Sequence, residues 1–318
     1  MSRFLVTGAA GFVGSHIAER LLKEGHEVVG YDNLSLGSME NLKDKNLKFI
    51  RGDLRDYCLL DMHMRDVDVV IHQGAASSTP MFKYDWKNSF ETNVMGFANV
   101  LDSARKNDVK RVVFASTSNI YCGIFSNHPF TEGELGELPN FYETTKFMNE
   151  MMAERFSKEF GIQTIGLRYL SIYGKNERAK GKFANLVSQF IWDIAKDKEI
   201  EIYSKKVDGG YVSALRDFVY YEDVANANYL ASTEEFPNNL PKIFNVATGK
   251  STSISELALM IGQQMGKTPK IKFVDAPANY VWGGYASTLL ADDILNFRTK
   301  WTLEEGIKEL VSYYGEKK

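Results

Sequence analysis

Thr7-Gly8-Ala9-Ala10-Gly11-Phe12-Val13-Gly14 is the stretch on which the reading of this chain turns. It follows a strand-like apolar run, Phe4–Thr7, and leads into an amphipathic segment, Phe12–Glu24, that reads as a helix. Glycines at 8, 11 and 14 let the backbone turn tightly and come within contact distance of a pyrophosphate. The helix N-terminus behind them offers free N–H groups and a partial positive charge. A glycine triplet alone is often only a turn. With a strand before it and a helix after it, Gly8, Gly11, Phe12, Val13 and Gly14 are expected to cradle a dinucleotide.

Outward from the loop, a second strand, Glu27–Tyr31, ends at Asp32, eighteen residues past Gly14. A carboxylate there accepts hydrogen bonds from both ribose hydroxyls and repels a 2′-phosphate, which favours NAD over NADP. After a third strand, Lys48–Arg51, Gly52-Asp53-Leu54 offers Asp53 to the adenine. Asp53 reads equally well as the cap of a helix starting near Arg55.

Further strands are expected at Val67–His72, Arg111–Ala115 and Thr164–Tyr169, with helices at Asp56–Met64, Lys87–Lys106 and Tyr142–Phe160. Short strands with helical spacers build a doubly wound parallel α/β sheet of Rossmann type. After about Gly174 the rhythm changes. Helices are expected at Gly181–Lys196, Asp223–Ala231, Ser255–Met265 and from Leu303, with strands at Glu199–Tyr203, Asp217–Tyr220, Ile243–Val246 and Lys270–Val274. The division is residues 1–173, carrying the dinucleotide, and a smaller mixed region, 174–318, carrying the substrate, with some interleaving of the chain.

The 318 residues are 44% apolar and 25% charged, as in soluble globular proteins. A net charge of −3 gives no long-range pull on nucleic acid or an acidic membrane, so positive charge for an anionic ligand must be local. No apolar run reaches the roughly 20 residues of a membrane span, and no signal peptide is read, so a cytoplasmic protein is expected. Cys58 and Cys122 match neither a disulfide framework nor a metal pattern, and read as reduced, partly buried thiols.

Tyr142-Glu143-Thr144-Thr145-Lys146 opens the last helix of the first region. Residues four apart share a helical face, so phenol and ammonium can address one ligand. A neighbouring ammonium favours phenolate, which makes Tyr142 a general base towards a sugar hydroxyl. Ala115-Ser116-Thr117-Ser118-Asn119 places hydroxyls at the carboxyl edge of the sheet. His72-Gln73-Gly74-Ala75-Ala76 puts small residues where backbone must approach a cofactor.

Together these residues resemble the extended short-chain dehydrogenase/reductase family and, within it, the nucleotide-sugar epimerases. The marks are TGAAGFVG (7–14), YDNLSLGSMENL (31–42), GDLRD (52–56), ETNVMGFANVL (91–101), FASTSNIY (114–121), YETTK (142–146), LRYLSIYG (167–174), RDFVYYEDVA (216–225) and FNVATG (244–249). The resemblance implies Thr117, Tyr142 and Lys146 as the catalytic set. For NAD it implies the glycine loop, Asp32, Asn33, Asp53, Leu54, Gly74, Ala75, Ala76, Asn93, Ser116 and Tyr169, besides Tyr142 and Lys146. Arg216 is implied to meet the substrate diphosphate, with Ser118, Ser171 and Lys180 as further substrate contacts. A homodimer through Lys87–Lys106 and Tyr142–Phe160, with Phe147, Met148, Met151 and Met152 outward, is implied as well.

Similar dehydratases carry Asp-Glu after the catalytic Thr, where this chain has Ser118 and Asn119. An epimerase acting at C4 of a UDP-hexose is the leading expectation. Lys180, in a segment that resembles ADP-heptose 6-epimerases, leaves open a second reading with two bases, or a solvated loop charge. A dehydrogenase releasing a keto sugar and a non-catalytic NAD-binding regulator are the remaining alternatives. Ser171 stands where many 4-epimerases have Asn, and Gly284 where the family usually has Arg.

Overall fold

The computed structural model describes residues 1–124, 128–235, 237, 242–277 and 280–316. The N-terminal run forms β1 (Arg3–Thr7), buried from Phe4 onward, and α1 (Phe12–Lys23) starts directly behind the glycine loop. There follow β2 (Glu27–Asp32), β3 (Lys48–Arg51), α2 (Tyr57–Met64), β4 (Val69–His72), α3 (Thr79–Tyr84), α4 (Trp86–Phe90), α5 (Gly96–Lys106), β5 (Arg111–Thr117), α6 (Phe141–Phe160) and β6 (Gln163–Tyr169). The later chain gives β7 (Ser171–Tyr173), α7 (Leu186–Ala195), β8 (Glu199–Val207), β9 (Gly210–Ser213), β10 (Leu215–Arg216), β11 (Phe218–Tyr220) and α8 (Tyr221–Thr233). It ends with β12 (Ile243–Val246), β13 (Thr252–Ser253), α9 (Ile254–Gln264), β14 (Lys270–Asp275), α10 (Leu289–Leu295) and α11 (Leu303–Glu316).

Seven strands form one parallel sheet in the order β3-β2-β1-β4-β5-β6-β12. Leu5 lies opposite Val29 on one side and Val70 on the other, a run of apolar pairs buried on both faces. On one face Phe4, Val6, Ile17, Val224 and Phe244 join α1 and α8 to the sheet. On the other, Leu5, Tyr31, Leu60, Phe97 and Phe114 join α2 and α5 to it. The strand order reverses between β1 and β4, and a crevice opens at their carboxyl ends, where ligands of such sheets bind. β12 comes from beyond residue 174 and completes this sheet. A second core, around Tyr173, Ile191, Ile202, Tyr220, Leu257 and Ile307, packs α7, α9 and α11 beside the three-stranded sheet β14-β8-β9.

Three expectations are corrected. The helix expected over 87–106 is interrupted by a π-turn, Glu91–Met95, between α4 and α5. The helix expected from Gly181 starts at Leu186. Gly181 adopts φ +52°, ψ −122°, which no helix continues through, and Asn185 caps α7 by accepting from Val187 N–H. Cys58 is exposed and only Cys122 is buried. The sequence pattern also missed β7, β9, β10, β13, α3 and α10, elements of two to seven residues, too short to show a period.

Candidate active site

The glycine loop closes the crevice floor with backbone. Gly8 turns at φ +67° and its N–H donates to Tyr31 O at 2.8 Å. A Cβ on Gly8 would lie 2.7 Å from Gly74 N and force the β1 and β4 loops apart, and one on Gly14 would lie only 2.1 Å from Gly8 O and push α1 off the glycine loop. Gly11 precedes α1 without any side-chain cap, which leaves the first-turn N–H groups of Phe12 and Val13 to a ligand.

Asp32 ends β2, 8% exposed, its oxygens accepting from Ala10 N–H at 3.1 Å and Leu34 N–H at 2.7 Å. Burial raises its pKa despite those bonds. Asn33 donates to Asp53 at 3.0 Å. Asp53 is also held by the Arg55 guanidinium at 2.8 Å, which keeps its carboxyl well below the usual range. Asp53 does not cap α2. That helix begins at Tyr57, and Asp56 caps it through Leu59 N–H. Leu54 is buried against Gly74 and Gly96.

Asn93 sits wholly buried in the π-turn, the kind of irregularity that helices reserve for functional places. Its amide accepts from Ala76 N–H at 2.8 Å and donates to Ala76 O and to the Thr145 hydroxyl, both at 3.1 Å. It thereby ties the Gly74-Ala75-Ala76 loop to α6. Tyr169 is buried, its hydroxyl bonded to Gln73 and Asn228, and Ser116 donates to Glu150, which forms a buried ion pair with Arg168. The side chains of Ser116 and Tyr169 are thus engaged within the protein.

Thr117 closes β5 and hydrogen-bonds Tyr142, the second residue of α6; Lys146 lies one turn on. Tyr142 is pushed up to about 12, chiefly by burial, against the lowering effect of the Thr117 hydrogen bond. Lys146 donates to Ala115 O at 3.0 Å and is pushed down to about 8 by burial. The sequence alone has the ammonium lower the phenol. Desolvation in the buried site dominates both groups and drives each towards its neutral form.

A cavity of about 940 Å³ opens beside Ser118 and Asn119 and runs past Leu170, Ser171 and Arg216 to Tyr280 and Trp282. Arg216 donates to two backbone carbonyls, Leu215 O at 2.7 Å and Val281 O at 2.6 Å. Gly283, at φ +73°, makes room for it, since a Cβ there would lie 2.2 Å from the guanidinium. Gly284 packs on the Phe130 ring at a distance that leaves no room for a side chain, so the family's usual cation cannot stand there without moving Phe130.

Lys180 is not among the cavity-lining residues. It lies 3.8 Å from the fully buried Glu177 carboxylate and 5.5 Å from the Phe12 ring centroid. Glu177 also accepts from Ser188 and Asn185 N–H, so Lys180 offsets a buried charge, not a charge in solvent.

Sequence reasoning missed Lys205 and Lys206 on β8, which line the cavity, with the Lys205 ammonium 4.4 Å over the Trp282 ring. Alternation in Glu199–Val207, burying Ile200, Ile202 and Ser204, was the available signal. It also missed Gln73, and Glu143 next to Tyr142. Among the described residues no metal-binding cluster occurs, and no helix is long and apolar enough to cross a membrane.

A doubly wound dinucleotide fold with Thr, Tyr and Lys converging at β5 and α6 defines a nicotinamide-dependent enzyme of the short-chain dehydrogenase/reductase kind. Residues 4–247 match the NAD dependent epimerase/dehydratase family. The chain belongs to that family and is an NAD-dependent epimerase of the extended type. The UDP-glucose 4-epimerase of Thermotoga maritima, solved with UDP-glucose, is 29% identical with a TM-score of 0.91 and 99% of each chain covered. The Thermus thermophilus UDP-glucose 4-epimerase, solved with NAD, is 31% identical, TM-score 0.89, over 98% of this chain and 99% of that one. The UDP-glucuronate 4-epimerase of Thermodesulfobacterium geofontis is 29% identical over 99% of this chain and 97% of its own.

Proposed function

We propose that this enzyme inverts C4 of a UDP-hexose through a 4-keto intermediate, with Tyr142 as proton carrier. The observation that carries the reading is Arg216, a guanidinium whose hydrogen bonds among the described residues go to neutral carbonyls, on the wall of a cavity that begins at Ser118 and Asn119. A cation held that way is a ready partner for a diphosphate. It supplies the local charge that the net charge of −3 lacks. Lys205 and Lys206 add to it, and Ser118 and Ser171 face the same space.

The first-turn N–H groups of α1, the glycine floor, Asp32 and Lys146 fit NAD. When bound there, NAD⁺ would supply reversible hydride acceptance and a positive ring charge that favours phenolate. Tyr142 takes the C4 hydroxyl proton onto its phenol oxygen, and Thr117 shares that proton through its hydrogen bond. Lys146, whose ammonium is anchored on Ala115 O, would hold the nicotinamide ribose. Asp32 holds the adenosine ribose. The cavity's size supports rotation of the keto sugar before the proton and hydride return. Residues 1–173 carry cofactor and catalytic set in this reading, and 174–318 most of the substrate wall. The ion pair of Lys180 with Glu177 lends the two-base heptose mechanism no support.

We place the enzyme in the cytoplasm as a homodimer. Two free thiols support the compartment. The exposed Trp86, Met95, Phe141 and Met151 on α4, the π-turn and α6 support the interface. Phe147 and Met148 are half-buried, and Met152 packs on the core and does not belong to that face. Sedimentation analysis checks the dimer. For the activity, UDP-glucose is incubated with NAD-loaded enzyme and followed by proton NMR. UDP-galactose without net NADH is the expected result; a released keto sugar, or turnover of NDP-heptose alone, would sink the reading.

A further inference from the structure

Beside the catalytic tyrosine stands a carboxylate to which the mechanism gives no task. Glu143 follows Tyr142 on α6 and is wholly buried. Its Oε1 accepts from the Asn119 amide at 3.0 Å and the Thr79 hydroxyl at 3.1 Å. Its Oε2 is buried and has no hydrogen-bond partner among the described residues. Both partners it has are uncharged, so its negative charge is poorly compensated and is felt over several ångströms in this dry environment.

That charge reaches the sugar end of the cavity. Asn119, bonded directly to Glu143, lines the cavity, and so does Cys122. Burial is the main reason that the pKa of both Cys122 and Tyr142 is raised, and the Glu143 charge adds to it at each. The groups packed around Glu143 are Tyr142 of its own helix, Asn119 and Cys122 from the turn after β5, and Thr79 from α3. Lys146, one turn further along α6, is occupied with Ala115 O. In a hexose, C6 is two bonds from C4, so when C4 meets Tyr142 the C6 substituent occupies the same corner.

We propose that Glu143 is a specificity-determining residue: its buried carboxylate, behind Asn119, rejects a sugar bearing a carboxylate at C6, so the site takes a neutral hexose in preference to a hexuronate. The assignment rests on the C4 reading given above. It also separates two chemistries that the chain's own relatives divide between them, UDP-glucose and UDP-glucuronate.

The test is calorimetric titration of NAD-loaded wild type and Glu143→Gln with UDP-glucose and with UDP-glucuronate. The wild type should bind the neutral sugar roughly tenfold or more tightly, a difference of about 1.4 kcal/mol, and Glu143→Gln should close most of that gap. Removing a negative charge lets Tyr142 ionise at lower pH, so the acid limb of kcat/KM should move down in the variant; a purely structural role would leave it in place. Equal wild-type affinities, or a gap and an acid limb unchanged in Glu143→Gln, would overturn the proposal. If the variant fails to fold, the wild-type gap alone decides. Absence of C4 turnover with the binding gap intact would count against the function and not against Glu143.

Discussion

The two walls of the cleft are built by different means. The cofactor wall is strand ends of one sheet and consists largely of backbone: Gly8, Gly14 and Gly74 touch through main-chain atoms, and α1 presents bare N–H groups. The substrate wall is side chains gathered from the turn after β5, from β7, β8 and β10, and from the segment around Tyr280–Gly284. Backbone chemistry cannot be tuned by substitution, whereas a wall of side chains can. A family built this way keeps one cofactor and changes its sugars.

Tyr142, where the two walls meet, should give the largest effect. Tyr142→Phe removes the proton carrier and nothing from the cofactor wall. Turnover should fall about 10²–10⁴-fold while NAD stays bound, read from kcat and from NAD released on denaturation. Near-normal turnover would mean that the proton travels elsewhere.

Arg216→Ala and Asp32→Asn set one wall against the other. Loss of a charge-assisted hydrogen bond costs about 1.5–3 kcal/mol, or roughly ten- to a hundredfold in affinity. Arg216→Ala should weaken UDP-sugar binding by that amount and spare NAD. Asp32→Asn should weaken NAD, narrow its preference over NADP, and spare the sugar. If either substitution loosened both ligands equally in calorimetric titration, the walls would not be independent.

The same contrast explains what the sequence made legible. Residues 7–14, 32 and 142–146 are local patterns, each readable within one turn or one helix, and the structure brings them to one crevice. Arg216 carries its meaning in a short motif. Lys205 and Trp282 carry none, and Glu143 sits inside the 142–146 pattern without a role that the pattern assigns. Lys205 reaches the cavity because β8 pairs with β9 and β14, and Glu143 turns inward because Thr79 and Asn119 receive it. The upward shift of Tyr142 escapes the sequence for a related reason. Helical spacing shows that two groups share a face, but not how dry that face is.

Lys180 should give the smallest effect, and it tests whether a third wall exists. In a two-base mechanism a second proton carrier must face Tyr142 across the sugar, and its loss would rival that of Tyr142. Lys180 instead stands between the buried Glu177 carboxylate and the Phe12 ring, on the cofactor side of the cleft. Lys180→Ala leaves Glu177 without a cation, but Ser188 and Asn185 N–H still hold that carboxylate. The pair is long, but its acid is wholly buried, so removing the cation leaves a buried carboxylate held by neutral donors alone and costs more than loss of an exposed pair. A clear loss of thermal stability and a less than tenfold fall in kcat are therefore expected, followed by thermal unfolding and by turnover of UDP-glucose. A collapse of kcat comparable to that of Tyr142→Phe, with NAD still bound, would place Lys180 at the sugar and replace the one-base mechanism with two.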